Sequence, residues 1–341
     1  MDTAHLQKRF LQEGDVFPAI LGQERTKTQL KSALLTNRHV IILGRPGIGK
    51  TTLAKNVAEL LPPMTLNDCQ YHCDPKEPLC PDCKVAKKVK TATFKGVERF
   101  IRVQGSPDLT AEDLLGDIDP TKALQHGPTS IEAFTPGKIF KANHGVLFFD
   151  EVNRCPEKIQ NALLQVLEEG RATLGAYTVE LPANFIFIGT MNPEETAATE
   201  KLSDVFLDRF DIIHMGYPEN LELETTIVKQ KGHVLPVTFP PDLLNLGILF
   251  VRILRDHKNI LKKPSVRATI GIYERAQANA FLAKNKTVTG QDLADALISV
   301  LAHRLELKPS VKYLQSNEEF IKEQFDLFAS QHEELAGGGR L

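Results

Sequence analysis

The chain has no apolar run near the ~18 residues that a membrane-spanning helix needs, which excludes a transmembrane helix. It has no excess of either charge: 41 Lys and Arg stand against 43 Asp and Glu, a formal net charge of −2. Bulk charge therefore gives no support to a nucleic-acid-binding protein, and only a local basic patch would do so. Cysteine is scarce, five in 341 residues, too few for a disulfide scaffold. The first residues, Met1-Asp2-Thr3-Ala4-His5, lack the apolar stretch of a secretion signal, so a cytoplasmic location is expected. No internal repeat is evident. What remains is an ordinary globular composition on a chain long enough for a large core and two domains.

Against that plain background one octet stands out. Gly44-Arg45-Pro46-Gly47-Ile48-Gly49-Lys50-Thr51 fits the phosphate-loop pattern G-x-x-x-x-G-K-[ST]. The apolar run His39-Val40-Ile41-Ile42-Leu43 before it reads as a buried strand, and Leu53, Val57, Leu60 and Leu61 after it have helical spacing. Strand, loop and helix are the context the motif requires. The glycines let backbone N–H groups turn toward a triphosphate, with Pro46, Ile48 and Thr52 completing the cradle. Lys50 can reach the β- and γ-phosphates, and the Thr51 hydroxyl can bind Mg²⁺. The helix start adds its positive dipole end. ATP and Mg²⁺ are the implied ligands. The competing reading, a chance glycine-rich turn, does not explain the flanking elements.

Further apolar runs at 98–104, 146–149 and 185–188 read as strands, and Glu24–Leu35 and Glu157–Glu169 as helices. Residues 62–92 are polar and rich in Cys and Pro, an apparent insertion. Residues 105–144, punctuated by Gly and Pro, read as irregular, and 171–181 as a hairpin. Beyond Pro218 only helical periodicity is evident, at 219–231, 241–256, 266–284, 290–306 and 316–335. The expectation is an α/β domain with a parallel sheet over 1–217, followed by an all-helical domain over 218–341. The glycines at 337–339 read as a flexible tail.

Two apolar strands end in polar groups. Val146-Leu147-Phe148-Phe149-Asp150-Glu151 ends in two carboxylates: Asp150 can hold Mg²⁺ and Glu151 can deprotonate an attacking water. A solvated acidic turn is the bland alternative. Phe185-Ile186-Phe187-Ile188-Gly189-Thr190-Met191-Asn192 puts Asn192 where it can position water or touch a γ-phosphate, although an Asn before Pro193 is also common turn chemistry. Arg209, between Asp208 and Asp211, is either a surface ion-pair residue or an arginine finger for a neighbouring subunit. Arg267 is either a solvated helix residue or a lid arginine that senses the nucleotide.

Cys69, Cys73, Cys80 and Cys83 are spaced C-x3-C-x6-C-x2-C. Four thiolates can complete a tetrahedral Zn²⁺ shell, with His72 as a spare ligand. Redox-active thiols and plain loop cysteines are the alternatives. Cys155 reads as a packed thiol.

Taken in order, Gly44 to Thr51, Asp150-Glu151, Asn192, Arg209 and Arg267 resemble Walker A, Walker B, sensor 1, arginine finger and sensor 2 of an AAA+ ATPase. Glu112-Asp113-Leu114-Leu115-Gly116-Asp117-Ile118-Asp119, the run from Phe134 to Gly145, Asp150-Glu151-Val152-Asn153-Arg154 and Leu301-Ala302-His303-Arg304-Leu305 are similar to magnesium-chelatase ATPase subunits. MoxR ATPases share much of this pattern. The resemblance covers about residues 15 to 306. It implies that Ile20-Leu21-Gly22-Gln23 flanks adenine, which adds Gln23 to the nucleotide contacts. It also implies a homo-oligomeric ring, usually a hexamer, with Arg209 acting in trans. The resemblance also places a helix-2 insert region at about 108–143 and a pre-sensor hairpin at about 170–184, whose loops near 108–135 and 170–182 would face a partner or the ring's pore. Two features depart from the pattern. The connection 196–206 is longer than usual and lacks an arginine-proline step. No Asp-x-Ser-x-Ser sequence is present, so a von Willebrand A-type partner would be a separate protein. The expected function is an ATP-hydrolysing motor that remodels or activates a partner. A nucleic-acid motor would need bases on the hairpin, which carries almost none; Lys84, Lys87, Lys88, Lys90 and Lys95 read as a solvated face. A nucleotide-dependent scaffold with little turnover fits poorly with an intact Glu151.

Overall fold

A computed structural model describes residues 3–69, 71–78, 80–86, 88–127, 130–169, 184–193 and 202–332. Contacts divide the chain into two units. One comprises Met1–Ile20, Glu24–Arg45 and Gly49–Met215; the other comprises Leu21–Gln23, Pro46–Ile48 and Gly216–Leu341.

The first unit begins with α1 (Thr3–Phe10) and α2 (Glu24–Leu35), followed by β1 (His39–Leu43) and α3 (Lys50–Leu60). In α2, Thr26, Lys27, Leu30, Ala33 and Leu34 form one buried stripe at three- and four-residue spacing. Asn37 ends it in the left-handed region, φ 54°, and the Arg38 N–H closes back on the Ala33 carbonyl at 2.9 Å. Then come β2 (Met64–Asn67), α4 (Pro81–Val85), β3 (Thr91–Phe94), β4 (Phe100–Gln104), α5 (Ala111–Leu115), β5 (Gly116–Ile118), α6 (Pro120–His126), β6 (Phe134–Pro136) and α7 (Lys138–Lys141). The unit continues with β7 (Val146–Asp150), α8 (Glu157–Glu169), β8 (Ile186–Met191), α9 (Asp204–Leu207) and β9 (Phe210–His214).

Five strands form one parallel sheet in the order β4-β7-β8-β1-β9. Val40 to Ile42 and Val146 to Phe149 are all buried, as continuous apolar strands covered on both faces should be. Because the strands are parallel, the C-terminal ends of β1, β7 and β8 lie on one edge. Leu43 pairs with Met191, and Phe149 with Gly189. Ligands of open α/β sheets bind at this edge.

The structure corrects the irregular reading of 105–144. That stretch holds α5, α6, α7 and an antiparallel β5–β6 pair. Three- to seven-residue elements are too short for a period to show. Their signal is in the caps: Thr110 and Asp113 form a capping box before α5, and Asp119 caps α6 with Pro120 in its first turn. The insertion is a β2–β3 hairpin whose long connection carries α4. The hairpin expected at 171–181, residues 196–201 of the long connection and the glycine tail lie outside the described residues.

The second unit contains α10 (Leu221–Lys231), α11 (Pro241–Asp256), β10 (Ile260–Lys262), α12 (Val266–Leu282), α13 (Gly290–Leu301), β11 (Glu306–Leu307), α14 (Pro309–Lys312) and α15 (Asn317–Ala329). Its core is built from the apolar faces of α11, α12, α13 and α15, among them Phe250, Ile272, Leu297 and Phe320. It is not purely helical, since β10 and β11 pair antiparallel. Strands of two and three residues leave no alternation to read.

Candidate functional site

The loop after β1 is tied at its base by the Gly44 N–H, which donates to the Met191 carbonyl at 3.0 Å. The Lys50 ammonium donates to the Gly44 carbonyl and, at 2.9 Å, to the Arg45 carbonyl. Gly49, at φ 105°, is the N-cap of α3, and no side chain caps that helix. A Cβ there would be strained and would sit 3.2 Å from the Ile20 Cδ1. The start of α3, with Thr51 and Thr52 in its first turn, therefore keeps its N–H groups and dipole for an anion. Within the second unit, which takes in Pro46–Ile48, a Cβ on Gly47 would lie 3.0 Å from the Arg267 Cγ. Arg267 opens α12 and is exposed.

At the end of β7 the two carboxylates are held differently. Asp150 accepts from the buried Thr190 hydroxyl at 2.7 Å and from Arg102 at 2.6 Å. The Glu151 N–H donates to the same Thr190 oxygen at 2.9 Å. Glu151 has a left-handed backbone, φ 56° and ψ 53°, uncommon for a residue with a side chain and frequent at functional sites. Its carboxylate accepts from Gln104 Nε2 at 3.1 Å and pairs with Arg154 at 3.3 Å. The turn is tight: the Gly105 N–H donates to the Asp150 carbonyl at 2.7 Å, and a Cβ on Gly105 would collide with the Glu151 carbonyl at 2.0 Å. Thr190 thus locks the two acids to one strand end, one partly covered and one aimed by Gln104 and Arg154.

Asn192 follows β8 directly, beside the loop base that Met191 anchors. Arg209 is half-exposed and pairs with Glu168 at the end of α8. Gln23 has φ 60°, and its side-chain amide donates to the carbonyls of Gly216 at 3.1 Å and Tyr217 at 3.3 Å. Its amide is therefore engaged with the backbone of the unit that contains it.

Four residues of this edge escaped the sequence reading: Arg102, Gln104, Thr190 and Arg154. Arg102 and Gln104 share one face of β4 by simple alternation, which was the available signal. Thr190 sits two residues before Asn192 and carried no signal of its own.

The sulfurs of Cys69, Cys73, Cys80 and Cys83 all lie within 4.8 Å of one another. The N–H of Cys73 donates to the Cys69 sulfur at 3.4 Å, that of Cys80 to the Cys73 sulfur at 3.3 Å, and that of Cys83 to the Cys80 sulfur at 3.4 Å. None of the four is in a disulfide. A hydrogen bond from Cys73 pulls the Cys69 thiol down to about 5, while burial pushes Cys83 up to about 12. His72 is not part of the group; its ring packs on Phe94, with centroids 4.3 Å apart. Cys155 is fully buried in the core.

Three family models match in series. The magnesium chelatase subunit ChlI model covers residues 16–75, the model of ATPases associated with various cellular activities covers 79–212, and an AAA lid domain model covers 259–324. A magnesium-chelatase subunit ChlI homolog of Methanocaldococcus jannaschii is 29% identical over 93% of this chain and 92% of its own. The chloroplastic magnesium-chelatase subunit ChlI-2 of Arabidopsis thaliana is 30% identical over 86% of this chain and 76% of its own. A ChlI subunit of a Nostoc species is 36% identical over 63% of this chain and 58% of its own. With three family models matched in series and a relative 30% identical over 86% of this chain and 76% of its own, the chain belongs to the magnesium-chelatase subunit ChlI family of AAA ATPases.

Proposed function

We propose that the chain is an Mg²⁺-dependent, ring-forming ATPase motor that remodels or activates a separate partner protein. The observation that carries this reading is the sheet edge where Thr190 clamps Asp150 and Glu151 next to the strand that leads into the Lys50 loop. Lys50 and the first turn of α3 hold the triphosphate. Thr51 and Asp150 would hold Mg²⁺, which would supply neutralisation of the phosphate charge. Glu151, aimed by Gln104 and Arg154, takes a proton from water as the water oxygen bonds to the γ-phosphorus and the bridging P–O bond breaks. Asn192 orients that water. Arg209 exchanges Glu168 for a neighbouring protomer's γ-phosphate, and Arg267 reads the nucleotide state from the helical unit. Positioning and electrostatic stabilisation do most of the work.

The relatives are named as subunits, which supports a separate partner in a chelatase-like or MoxR-like system. A hexameric ring, a von Willebrand A-type partner and a cytoplasmic location belong to the same proposal. Among the described residues no helix is long and apolar enough to cross a membrane. The four cysteines form a second site suited to Zn²⁺, which no step of hydrolysis uses.

The test is ATPase activity across protein concentration for wild type, Glu151→Gln, Arg209→Ala and a mixture of the two variants. Specific activity that rises with concentration, two nearly inactive variants and partial recovery on mixing are expected. Turnover independent of concentration with a normal Arg209→Ala overturns the shared site and leaves Arg209 as the ion-pair partner of Glu168.

A further inference from the structure

We propose that Cys69, Cys73, Cys80 and Cys83 bind one structural Zn²⁺, and that this ion is the joint fixing the cysteine-rich connection to residues 111–141. The second half of the proposal rests on the zinc assignment; neither half rests on the nucleotide reading.

The donor set fits. Four Zn–S bonds of about 2.3 Å in a tetrahedron put sulfurs about 3.8 Å apart. The sulfurs here are already within 4.8 Å of one another, so shifts of well under an ångström close the shell. Three of the four sulfurs accept a backbone N–H from another cysteine of the group. Such outer hydrogen bonds orient ligand sulfurs and spread thiolate charge. The Cys80–Cys83 half is set by α4, where Cys80 is the N-cap and its sulfur accepts from Cys83. Cys73, Cys80 and Cys83 are buried and Cys69 is half-buried. Cys69, Cys80 and Cys83 line a cleft of about 450 Å³, which gives an ion a way in; Lys88, Lys90 and Lys122 line it together with Asp68, the partner of Lys90, and Asp82.

The case for a joint comes from what surrounds the sulfurs. Among the described residues between β2 and β3 the only regular element is five-residue α4. A structureless connection of that length is uncommon in a compact unit and loses much entropy on ordering. The segment's buried side chains are mainly the cysteines themselves with Tyr71. They lie in one apolar cluster with Leu114, Leu115, Phe134 and Ile139 from the other side. The cysteines supply most of the segment's contact with that cluster, so a metal closing four points of it would order the loop and the face it rests on together.

The experiment uses the full chain without nucleotide, purified without added metal. Elemental analysis is expected to give about one zinc per chain, and Co²⁺ exchanged for it should give the intense absorption of a tetrahedral tetrathiolate site. Cys80→Ser should lose most of the metal. Absence of zinc, no cobalt spectrum and four thiols freely titratable in the native protein, or two disulfides in their place, would overturn the whole proposal. The joint is read on wild type, where no variant need fold, by hydrogen exchange before and after chelation. Protection is expected to fall in both 66–93 and 111–141, to hold in β1, β8 and β9, and to return with Zn²⁺. Loss confined to 66–93 overturns the joint while leaving a local zinc site.

Discussion

Two sets of carboxylates and arginines, one in each unit, show how similar residues serve different ends. In the helical unit Glu224 is fully buried. It accepts from Arg255 at 2.8 and 2.6 Å, from Arg252 at 3.1 Å and from the Thr269 hydroxyl at 2.9 Å. Arg255 also donates to the Pro264 carbonyl at 2.9 Å and stacks 4.3 Å over Tyr217. Both oxygens are occupied and no solvent reaches them, so the cluster fixes where α12, and with it Arg267, begins. At the sheet edge, Asp150 and Glu151 keep 16% and 30% of their side chains exposed. Their partners aim them without enclosing them. A saturated buried carboxylate holds structure; a partly open one can exchange a partner for a substrate.

Breaking the open site should have the largest effect on rate. Glu151→Gln should lower ATP turnover by about 10²–10⁴-fold with little change in thermal stability, because it removes the proposed general base and keeps the shape. A melting temperature that falls with activity would assign Glu151 to structure. Breaking the closed site should do the reverse. Glu224→Ala leaves two guanidinium groups unpaired, one of them buried, and should cost about 3–5 kcal/mol in denaturant titration. A loss below about 1 kcal/mol would place the cluster with surface ion pairs.

A third probe sharpens the contrast through pH. Burial, and then the charge of Arg38, pulls His39 down from 6.5 to about 4, and its Nδ1 accepts the Phe187 N–H at 3.1 Å. Above pH 6.5 His39 is neutral in both folded and unfolded chains, and its contribution is fully present. As pH falls toward 4 the unfolded chain takes up the proton first, so stability falls by about 2–3 kcal/mol between pH 7 and 4.5. The loss should shrink in His39→Gln; an unchanged pH dependence would remove His39 as its source. The smallest effect is expected at the open site's rim. Arg102→Ala removes a half-exposed partner of Asp150 and should change stability by less than about 1 kcal/mol. A larger loss would mean that Arg102 holds the strand end itself.

The same contrast explains what could be read in advance. The strand, phosphate loop and helix over 39–60 were legible because every part is local: an apolar run, glycines at fixed offsets and a helical stripe. Helices Glu24–Leu35 and Glu157–Glu169 were legible because their buried faces repeat over several turns. The Asp150-Glu151 pair was legible as the end of an apolar strand. The short elements of 105–144 were not, because β5 and β6 gain stability only from pairing across an intervening helix. Nor was the Glu224 cluster, whose partners lie about 30 to 45 residues away and whose charges look solvated in any local window.

Sequence by itself therefore determined the chemistry at hand: a phosphate loop, two acids at a strand end and four thiols at ligand-like spacing. Local backbone geometry and side-chain periodicity suffice for that. Tertiary structure alone decided which groups share an environment. It placed Thr190 between the two acids, turned Gln104 and Arg154 onto Glu151, left His72 outside the cysteine group and buried Glu224 among its arginines. Those outcomes depend on parallel strand register and on burial, where the cost of an unpaired polar group forces distant residues together.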